Sequence, residues 1–183
     1  GQRHKDIRNG LSVPPKITMS SLLNIAMHPA WCLRMLGSKR HSFGNVVGHA
    51  SGVERLTTLA QWSAEQLDPT LTWDDVKWVK DLWQGPLIIK GIMCEEDAVL
   101  AAASGADAVV ISNHGGRQLD GAPATLDVLP GIAEAIAGKV EIWMDGGIRS
   151  GQDMFKALAL GADATLIGRA YQSGLGANGE TGV

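Results

Sequence analysis

The segment "KGIMCEEDAVLAAASGADAVVIS" (residues 90–112) decides the fold class, because its pattern recurs as "GGIRSGQDMFKALALGADATLIG" (residues 146–168). Ile92, Asp97 and Gly105 of the first segment have counterparts at the same spacing in the second. Each segment predicts a helix followed by an apolar strand. Repeated βα units of this kind build either a (β/α)₈ barrel or a doubly wound sheet.

Four short apolar runs predict the strands, and helix-sized segments lie between them. Because each run is almost continuously apolar, we expect parallel strands that are covered on both faces. Polar residues and glycines cluster at the C-terminal end of every run, where both architectures carry their active sites. The predicted strands are 86–92, 106–113, 140–147 and 164–170, and the predicted helices are 95–104, 125–137 and 150–160.

The number of strands predicts only half of a barrel. A closed barrel needs eight βα units and typically about 250 residues. This chain has 183 residues, it begins with Gly1 instead of Met, and its predicted strands all follow residue 85. We therefore predict an α/β fold that is the second half of a TIM barrel and a fragment of a longer parent. Half a barrel exposes open sheet edges, so we expect it to fold poorly alone.

The region before the first strand is predicted to hold helices. Residues 53–83 carry a helical pattern, with Thr72 as N-cap and Asp75 as the capping-box acid. Residues 19–50 are apolar at first, are interrupted by Pro29 and then become basic. They predict either two short helices packed on the barrel or an interfacial segment with its apolar side in lipid. The residues alone slightly favour the two helices.

The composition argues against several functional classes. The formal net charge of −3 gives no general electrostatic reason to expect nucleic-acid binding. Cys32 and Cys94 lie far apart and match no metal or redox spacing, so inert thiols are expected. No apolar run reaches the roughly 20 residues that a membrane-spanning helix needs. Apolar residues make up 45% of the chain, enough for a globular core.

The segment "SNHGGRQLDG" (residues 112–121) follows the second predicted strand and carries the strongest chemical signal. An imidazole can accept a proton at neutral pH, so His114 is a candidate general base. Arg117 can bind a carboxylate through two parallel hydrogen bonds. A base beside a carboxylate clamp suits abstraction from a carbon or hydroxyl next to a carboxyl group. The clustering at a strand end argues against an ordinary turn histidine with a solvated arginine.

Two glycine-containing loops predict a phosphate or nucleotide site. They are "GGIRSG" (146–151) and "IGRA" (167–170), and they follow the last two predicted strands. Their glycines let backbone N–H groups approach an anion at a helix N-terminus, and each loop adds an arginine. Barrels often bind phosphate with the loops after their last two strands. Ordinary βα turns with surface arginines are the alternative.

Three further residues have two interpretations each. Lys90 either faces negative charge on a substrate or cofactor or reaches solvent at a strand end, since an unpaired ammonium is costly to bury. Asp145 accepts hydrogen bonds either from sugar-like hydroxyls or from its own loop. Arg3, in "GQRHKDIRNG", is a candidate second carboxylate contact in what is otherwise a polar loop.

Together these motifs resemble the FMN-dependent 2-hydroxy-acid dehydrogenase and oxidase family. The resemblance rests on "IIKG", "SNHGGRQLDG" and "DGGIRSGQDMFKALALGADATLIGRA", and it runs from Gly1 to Val183. The family fold is an FMN-binding (β/α)₈ barrel, so the resemblance implies its second half. The first half supplies flavin contacts, an aromatic substrate contact and an aspartate paired with the base, so activity is expected to require it.

The resemblance also assigns roles to individual residues. His114 corresponds to the active-site base, and Arg117 and Arg3 correspond to arginines that contact the substrate. Lys90 corresponds to the lysine beside the N1/O2 edge of the flavin, and Ser112 to a residue near the flavin. No metal is implied. The ribityl and phosphate pocket of FMN corresponds to Asp145, Gly147, Arg149, Gly168 and Arg169.

The segment "MHPAWCLRML" (residues 27–36) resembles the barrel insertion of membrane-associated L-lactate and mandelate dehydrogenases. This implies one partial barrel over residues 1–183, with residues 19–50 as an insertion that contacts the membrane. It also favours a quinone or respiratory-chain electron acceptor over oxygen. The resemblance further implies a cytoplasmic, peripheral location on the inner face of a bacterial cell membrane, and a homotetramer.

The resulting expectation is FMN-dependent oxidation of an L-2-hydroxy acid to the 2-oxo acid, with L-lactate as the first substrate and (S)-mandelate as the second. Whether substrate C2 loses a proton or a hydride stays open. A hydroxy-acid oxidase that uses oxygen is an alternative within the family. A non-redox phosphate-binding barrel and an inactive truncated product are alternatives of other classes.

Overall fold

The computed structural model describes residues 8, 17–38, 46, 62, 65–119 and 121–183. The chain forms two compact units, one spanning Gln2–Thr70 and the other Leu71–Val183. The elements in chain order are α1 (Met19–Ala26), α2 (Pro29–Gly37), α3 (Trp73–Trp83), β1 (Ile88–Ile92), α4 (Glu95–Ala103), β2 (Ala108–Ile111), α5 (Thr125–Ile136), β3 (Glu141–Met144), α6 (Gly151–Ala159), β4 (Ala164–Thr165), α7 (Arg169–Asn178) and a 3₁₀ turn (Gly179–Gly182).

The four strands form one parallel sheet in the order in which they occur along the chain. The register aligns Ile89 with Val109, and Val109 with Ile142. A doubly wound sheet reverses its strand order at a switch point, whereas consecutive order is that of a barrel wall. The predicted parallel α/β arrangement is therefore confirmed, and it is the barrel-like one of the two architectures.

The strands are shorter than the sequence predicted, most of all at β4. This strand contains only Ala164 and Thr165, and Arg169 already begins α7. The prediction of a strand over 164–170 is therefore wrong beyond residue 165. The neighbouring strand β3 ends at Met144, which pairs with Thr165, so the ladder between these two strands stops there although the sequence stays apolar.

The two repeated segments have matching local structure. Gly105 and Gly161 follow α4 and α6 with φ of +91° and +110°, a conformation that favours glycine. Two residues later, Asp107 Oδ2 accepts a backbone N–H from the neighbouring strand segment at 2.6 Å, and Asp163 Oδ2 does the same at 2.8 Å. Each aspartate thereby fastens the start of its strand to the strand before it.

The core lies between the sheet and the helices that cover one of its faces. Burying a leucine, isoleucine or methionine side chain contributes roughly 1.5–3 kcal/mol, so this layer dominates the hydrophobic stabilisation of the unit. Its larger members are Ile92, Val109, Ile111, Leu129, Ile132, Ile136, Ile142, Met144 and Ile148. Side chains alternate along a strand, so the aligned residues Lys90, Val110 and Trp143 project from the other face.

Helix α3 begins as predicted but is shorter than predicted. Asp75 Oδ2 accepts the backbone N–H of Thr72 at 2.7 Å and its hydroxyl at 2.9 Å, which confirms the capping pair. The prediction of a helix throughout 53–83 is wrong for residues 67–72. There, Asp68 Oδ1 accepts the N–H of Thr70 at 2.8 Å and closes a turn that no helix can continue through. Most of residues 53–64 lies outside the described residues.

Helices α1 and α2 agree with the prediction of two short helices within 19–50. Thr18 Oγ1 accepts the N–H of Ser21 at 3.2 Å and caps α1, and Pro29 stands in the first turn of α2, where its missing N–H costs nothing. Among the described helices, none combines the length and apolar character that crossing a bilayer requires. Large apolar side chains are exposed on this pair: Met19, Leu22, Leu23, Ile25, Trp31, Leu33, Met35 and Leu36.

Candidate active site

The carboxyl ends of β1, β2 and β3 are joined through Lys90. Its ammonium donates to Ser112 Oγ at 2.5 Å and to Asp145 Oδ2 at 2.5 Å. The side chain of Asp145 is only 21% exposed, so this ion pair is partly shielded from water. The pairing shows how a lysine can follow two aliphatic residues in a strand, since the charge is not buried alone. Three of the predicted cofactor residues therefore lie together.

His114 lies in a left-handed turn directly after β2. The φ angles of His114, Gly115 and Gly116 are +57°, +66° and +67°. For a residue with a Cβ this conformation costs roughly 1–2 kcal/mol, so its surroundings must hold it. The N–H of His114 donates to Ser112 Oγ at 3.2 Å, and the N–H of Gly116 donates to the carbonyl and side-chain oxygens of Asn113 at 3.0 and 3.1 Å.

The loop after β4 holds this turn from another side. Arg169 Nη2 donates to the carbonyl oxygen of Gly115 at 2.8 Å. A methyl group at Gly115 would come within 2.7 Å of the same nitrogen, so a side chain there would displace the guanidinium from its present place. Arg169 was predicted as a phosphate contact, and its guanidinium also fastens the turn that carries His114.

Most of the predicted site residues line one open cleft of about 370 Å³ at the carboxyl edge of the sheet. The sequence predicted this edge, because barrels carry their active sites there. Ser112 is connected to the cleft through its hydrogen bond with Lys90. Arg3 lies outside the described residues. The predicted residues that line the cleft are Lys90, His114, Arg117, Asp145, Gly147, Arg149, Gly168 and Arg169.

The two loops predicted to bind phosphate differ in how their helices begin. At α6, Asp153 Oδ2 accepts the N–H groups of Arg149 and Ser150 at 3.1 and 3.0 Å. The hydroxyl of Ser150 and the N–H of Arg149 lower the pKa of Asp153, so this carboxylate stays charged and occupies those amides. Helix α7 begins after Gly168 without a capping side chain. The helix N-terminus offered to an anion is therefore that of α7 rather than α6.

The residues present fit FMN. Within the described part of the chain, Asp145 Oδ1 is buried and has no hydrogen-bond partner, so it can accept a hydrogen bond from a ribityl hydroxyl. Gly147 and Gly168 leave open space where a side chain would stand, which lets an anion approach their backbone. The guanidinium groups of Arg149 and Arg169 line the same cleft and supply positive charge for a phosphate.

Four residues of the site carried little signal in the sequence. Leu166 and Ile167 line the cleft, although their apolar pattern predicted a strand. Gln172 lines it from the first turns of α7, a helix that the sequence barely indicated. Gly91 leaves room beside the ring of His114, and its signal was a glycine inside a strand, which often marks a bulge or a close approach.

Comparison with known proteins gives consistent matches. An "L-lactate dehydrogenase" of Vibrio parahaemolyticus is 43% identical over 184 residues, which cover all of this chain and 48% of that protein. A crystal structure of the "monotopic membrane protein (S)-mandelate dehydrogenase" matches with a TM-score of 0.90 and 38% identity, again over all of this chain and 48% of the other. A mandelate oxidase with (S)-4-hydroxymandelic acid matches with a TM-score of 0.65 and 42% identity over 73% of this chain and 39% of the other.

These matches bear on the fold and on the family. The chain spans about half the length of the curated relatives it matches, which confirms the prediction of half a TIM barrel. The model of the family described as FMN-dependent dehydrogenase matches residues 1–183. The cofactor of that family is FMN, in agreement with the donors found in the cleft. The chain therefore belongs to the FMN-dependent dehydrogenase family.

Proposed function

We propose that the protein oxidises an L-2-hydroxy acid to the 2-oxo acid with FMN as cofactor, and that L-lactate is its substrate. One observation carries this proposal: His114, Arg117 and Lys90 line the same cleft as the glycine loops that fit a phosphate. The name of the Vibrio relative supports lactate, and the matches to a mandelate dehydrogenase and a mandelate oxidase make (S)-mandelate the second candidate.

The roles follow from the chemistry of each side chain. Arg117 binds the substrate carboxylate with its planar pair of N–H groups, and Arg3 is proposed as a second contact. An imidazole nitrogen of His114 accepts the proton that the substrate loses. FMN, when bound, supplies the acceptor for the two electrons. The ammonium of Lys90 offsets negative charge in the cleft and is already oriented by Ser112 and Asp145, so little reorganisation is needed.

FMN is proposed to be held by the remaining predicted residues. Asp145 accepts hydrogen bonds from the ribityl chain through its unpaired Oδ1. Backbone amides at Gly147 and Gly168 and the guanidinium groups of Arg149 and Arg169 bind the phosphate. Ser112, which directly follows β2 and is 1% exposed, orients Lys90.

The helices α1 and α2 are proposed to contact a membrane surface as part of an insertion at residues 19–50 within the barrel of 1–183. Their large apolar side chains are exposed, and Arg34 supplies a positive charge in the last turn of α2. Exposed apolar surface beside a basic residue suits the boundary between lipid tails and headgroups. The description of the mandelate dehydrogenase as a monotopic membrane protein supports this. A quinone acceptor, the inner face of the cell membrane and a homotetramer complete the proposal.

The activity is tested with the protein expressed from its complete coding region. We expect bound FMN, and we expect its visible absorbance to bleach when L-lactate is added without oxygen. Turnover with an artificial electron acceptor is then compared for L-lactate, D-lactate and (S)-mandelate. Fast reoxidation by oxygen would favour the oxidase alternative. A purified protein without flavin would contradict the proposed function and favour a non-redox barrel.

The membrane contact is tested by flotation with vesicles that contain anionic lipid. We expect Leu33→Asp to reduce the bound fraction, because Leu33 is 72% exposed on α2. Phe155→Asp is the matched control, because Phe155 is 73% exposed on α6 in the other unit. Equal binding by both variants and the unsubstituted protein would contradict a membrane role for α2.

A further inference from the structure

The ring of His114 stands next to the position where a side chain of Gly91, near the end of β1, would project. A methyl group added at Gly91 would lie 3.1 Å from Cε1 and 4.0 Å from Nε2 of the imidazole. Ordinary carbon contacts lie at about 3.5–4.0 Å, so a side chain at Gly91 would require the ring to move by a few tenths of an ångström. The missing side chain of Gly91 thus creates the space that the imidazole occupies.

The backbone at Gly91 is built for this contact. Gly91 has a φ of +103°, which side chains of L-residues rarely tolerate. The register between β1 and β2 aligns Lys90 with Val110 and Ile92 with Ile111, so Gly91 is the extra residue of a β-bulge. Bulges near active sites redirect side chains, and this one directly follows Lys90 and lies beside the ring of His114.

The backbone of His114 is held by hydrogen bonds in which Gly91 takes no part. Its N–H is bonded to Ser112, and the carbonyl oxygen of the next residue is bonded to Arg169. With the main chain held in this way, the torsions of the side chain decide where the imidazole nitrogens lie. A side chain at position 91 would restrict those torsions from one edge of the ring, and glycine leaves that edge open.

We propose that Gly91 is a positioning residue for the proton-accepting imidazole of His114, a role that rests on the proposed function. Its counterpart in the second repeat, Gly147, also has a positive φ, of +79°, but a methyl group there would meet nothing within 4 Å. Backbone conformation alone therefore does not explain the contact at Gly91. The contact is specific to the repeat that faces the base.

The test compares Gly91→Ala with Gly138→Ala in the protein from the complete coding region. Gly138 has a φ of +75°, and a methyl group there meets nothing within 4 Å, so this control carries the backbone strain without the contact. We expect Gly91→Ala to lower kcat for L-lactate at least tenfold with little change in KM and with FMN still bound. We also expect the pH profile of kcat/KM to shift. Gly138→Ala should change neither.

A double-variant cycle measures the contact without using activity. The methyl group that Gly91→Ala adds is expected to push on the imidazole. Gly91→Ala should therefore lower Tm more when His114 is present than when His114 has been replaced by alanine. Should Gly91→Ala not fold, Gly91→Ala combined with His114→Ala is expected to fold. Equal Tm losses in both backgrounds, failure of both to fold, or a kcat within about twofold of the unsubstituted protein would overturn the proposal. An unsubstituted protein that binds FMN but oxidises no hydroxy acid would overturn the proposed function instead, while the Tm comparison still tests the contact.

Discussion

The two repeated segments, 90–112 and 146–168, share one backbone plan but end in different chemistry. In both, a glycine with positive φ follows the helix and an aspartate fastens the next strand to its neighbour. At the corresponding strand ends the residues diverge. Lys90 and Ser112 in the first segment correspond to Gly146 and Gly168 in the second. One repeat presents an ammonium and a hydroxyl, and the other presents bare backbone.

This difference shows which parts of the repeat fix the position of the site and which parts determine its chemistry. The turns, anchors and helices fix where the strand ends lie, and they are nearly the same in both repeats. A polar side chain at a strand end supplies a charge or a group that transfers protons. A glycine at a strand end leaves the backbone N–H groups free to bind an anion. Two copies of one βα unit, with the segment of α5 and β3 between them, therefore line the same cleft. The first, with Lys90 and Ser112, forms its reaction edge, and the second, with Gly146 and Gly168, forms its phosphate edge.

The largest expected effect comes from removing the base that follows the first repeat. His114→Gln should lower kcat by about 10²–10⁴-fold while FMN stays bound, because an amide cannot accept the proton at neutral pH. Steady-state turnover and the visible spectrum are the measurements. His28→Gln is the matched control, because His28 is an exposed histidine of the other unit. Loss of FMN from His114→Gln would mean that the residue is structural.

The next prediction tests whether the charge of Lys90 matters because it lies in the cleft or only because it forms an ion pair. Lys90→Met should slow substrate-dependent bleaching of the flavin by roughly 10²-fold, the size expected when one preorganised electrostatic contact is removed. Lys80→Met is the control. Lys80 lies on helix α3 and forms a comparable ion pair with Asp107 at 2.6 Å, but it does not line the cleft. Similar bleaching rates in Lys90→Met and Lys80→Met would show that Lys90 contributes only to the stability of the fold and not to flavin reduction.

The sequence predicted most of what the repeats determine and little of what depends on long-range contact. Periodicity and glycine spacing predicted the parallel strands, the helices and the edge that carries the site. The motif residues His114, Arg117 and Lys90 were predicted because their chemistry suits an acidic substrate at the edge that carries active sites, and because their motifs resemble those of a known family. The early end of β4 and the closeness of Gly91 to the ring of His114 could not be predicted, because each depends on a neighbour distant in sequence. The bond from Arg169 to Gly115 joins residues 54 positions apart, and no local pattern encodes it.

A third prediction concerns how the phosphate edge supports the reaction edge. Arg169→Ala should weaken FMN binding about 10–100-fold, because a charged hydrogen bond is worth roughly 1.5–3 kcal/mol. It should also lower kcat at saturating FMN, since the turn that carries His114 loses its bond to the guanidinium. Arg149→Ala should weaken FMN binding with a smaller change in kcat. FMN titration and turnover at saturating FMN are the measurements, and an equal kcat in both variants would contradict the supporting role of Arg169.

The smallest expected effect tests the anchors that the repeats share. Asp107 and Asp163 both accept a backbone N–H, and among the described contacts only Asp107 also accepts from a lysine, at 2.6 Å. We therefore expect Asp107→Asn to lower the urea midpoint at pH 7 more than Asp163→Asn does. The effect should be modest, because the side chain of Asp107 is 49% exposed and exposed ion pairs contribute little.

The pH dependence of this effect has a definite sign. The hydrogen bond from Lys80, followed by that from the N–H of Leu87, lowers the pKa of Asp107 in the folded protein. The carboxylate therefore adds stability above its unfolded pKa, which is near 3.9, and this contribution is lost as the pH falls through the lower folded pKa. The gap in urea midpoint between the unsubstituted protein and Asp107→Asn should be larger at pH 7 than at pH 3. The absence of a gap at both pH values would mean that Asp107 acts only through its backbone hydrogen bond, for which asparagine can also be the acceptor, and that the lysine adds nothing to the first anchor.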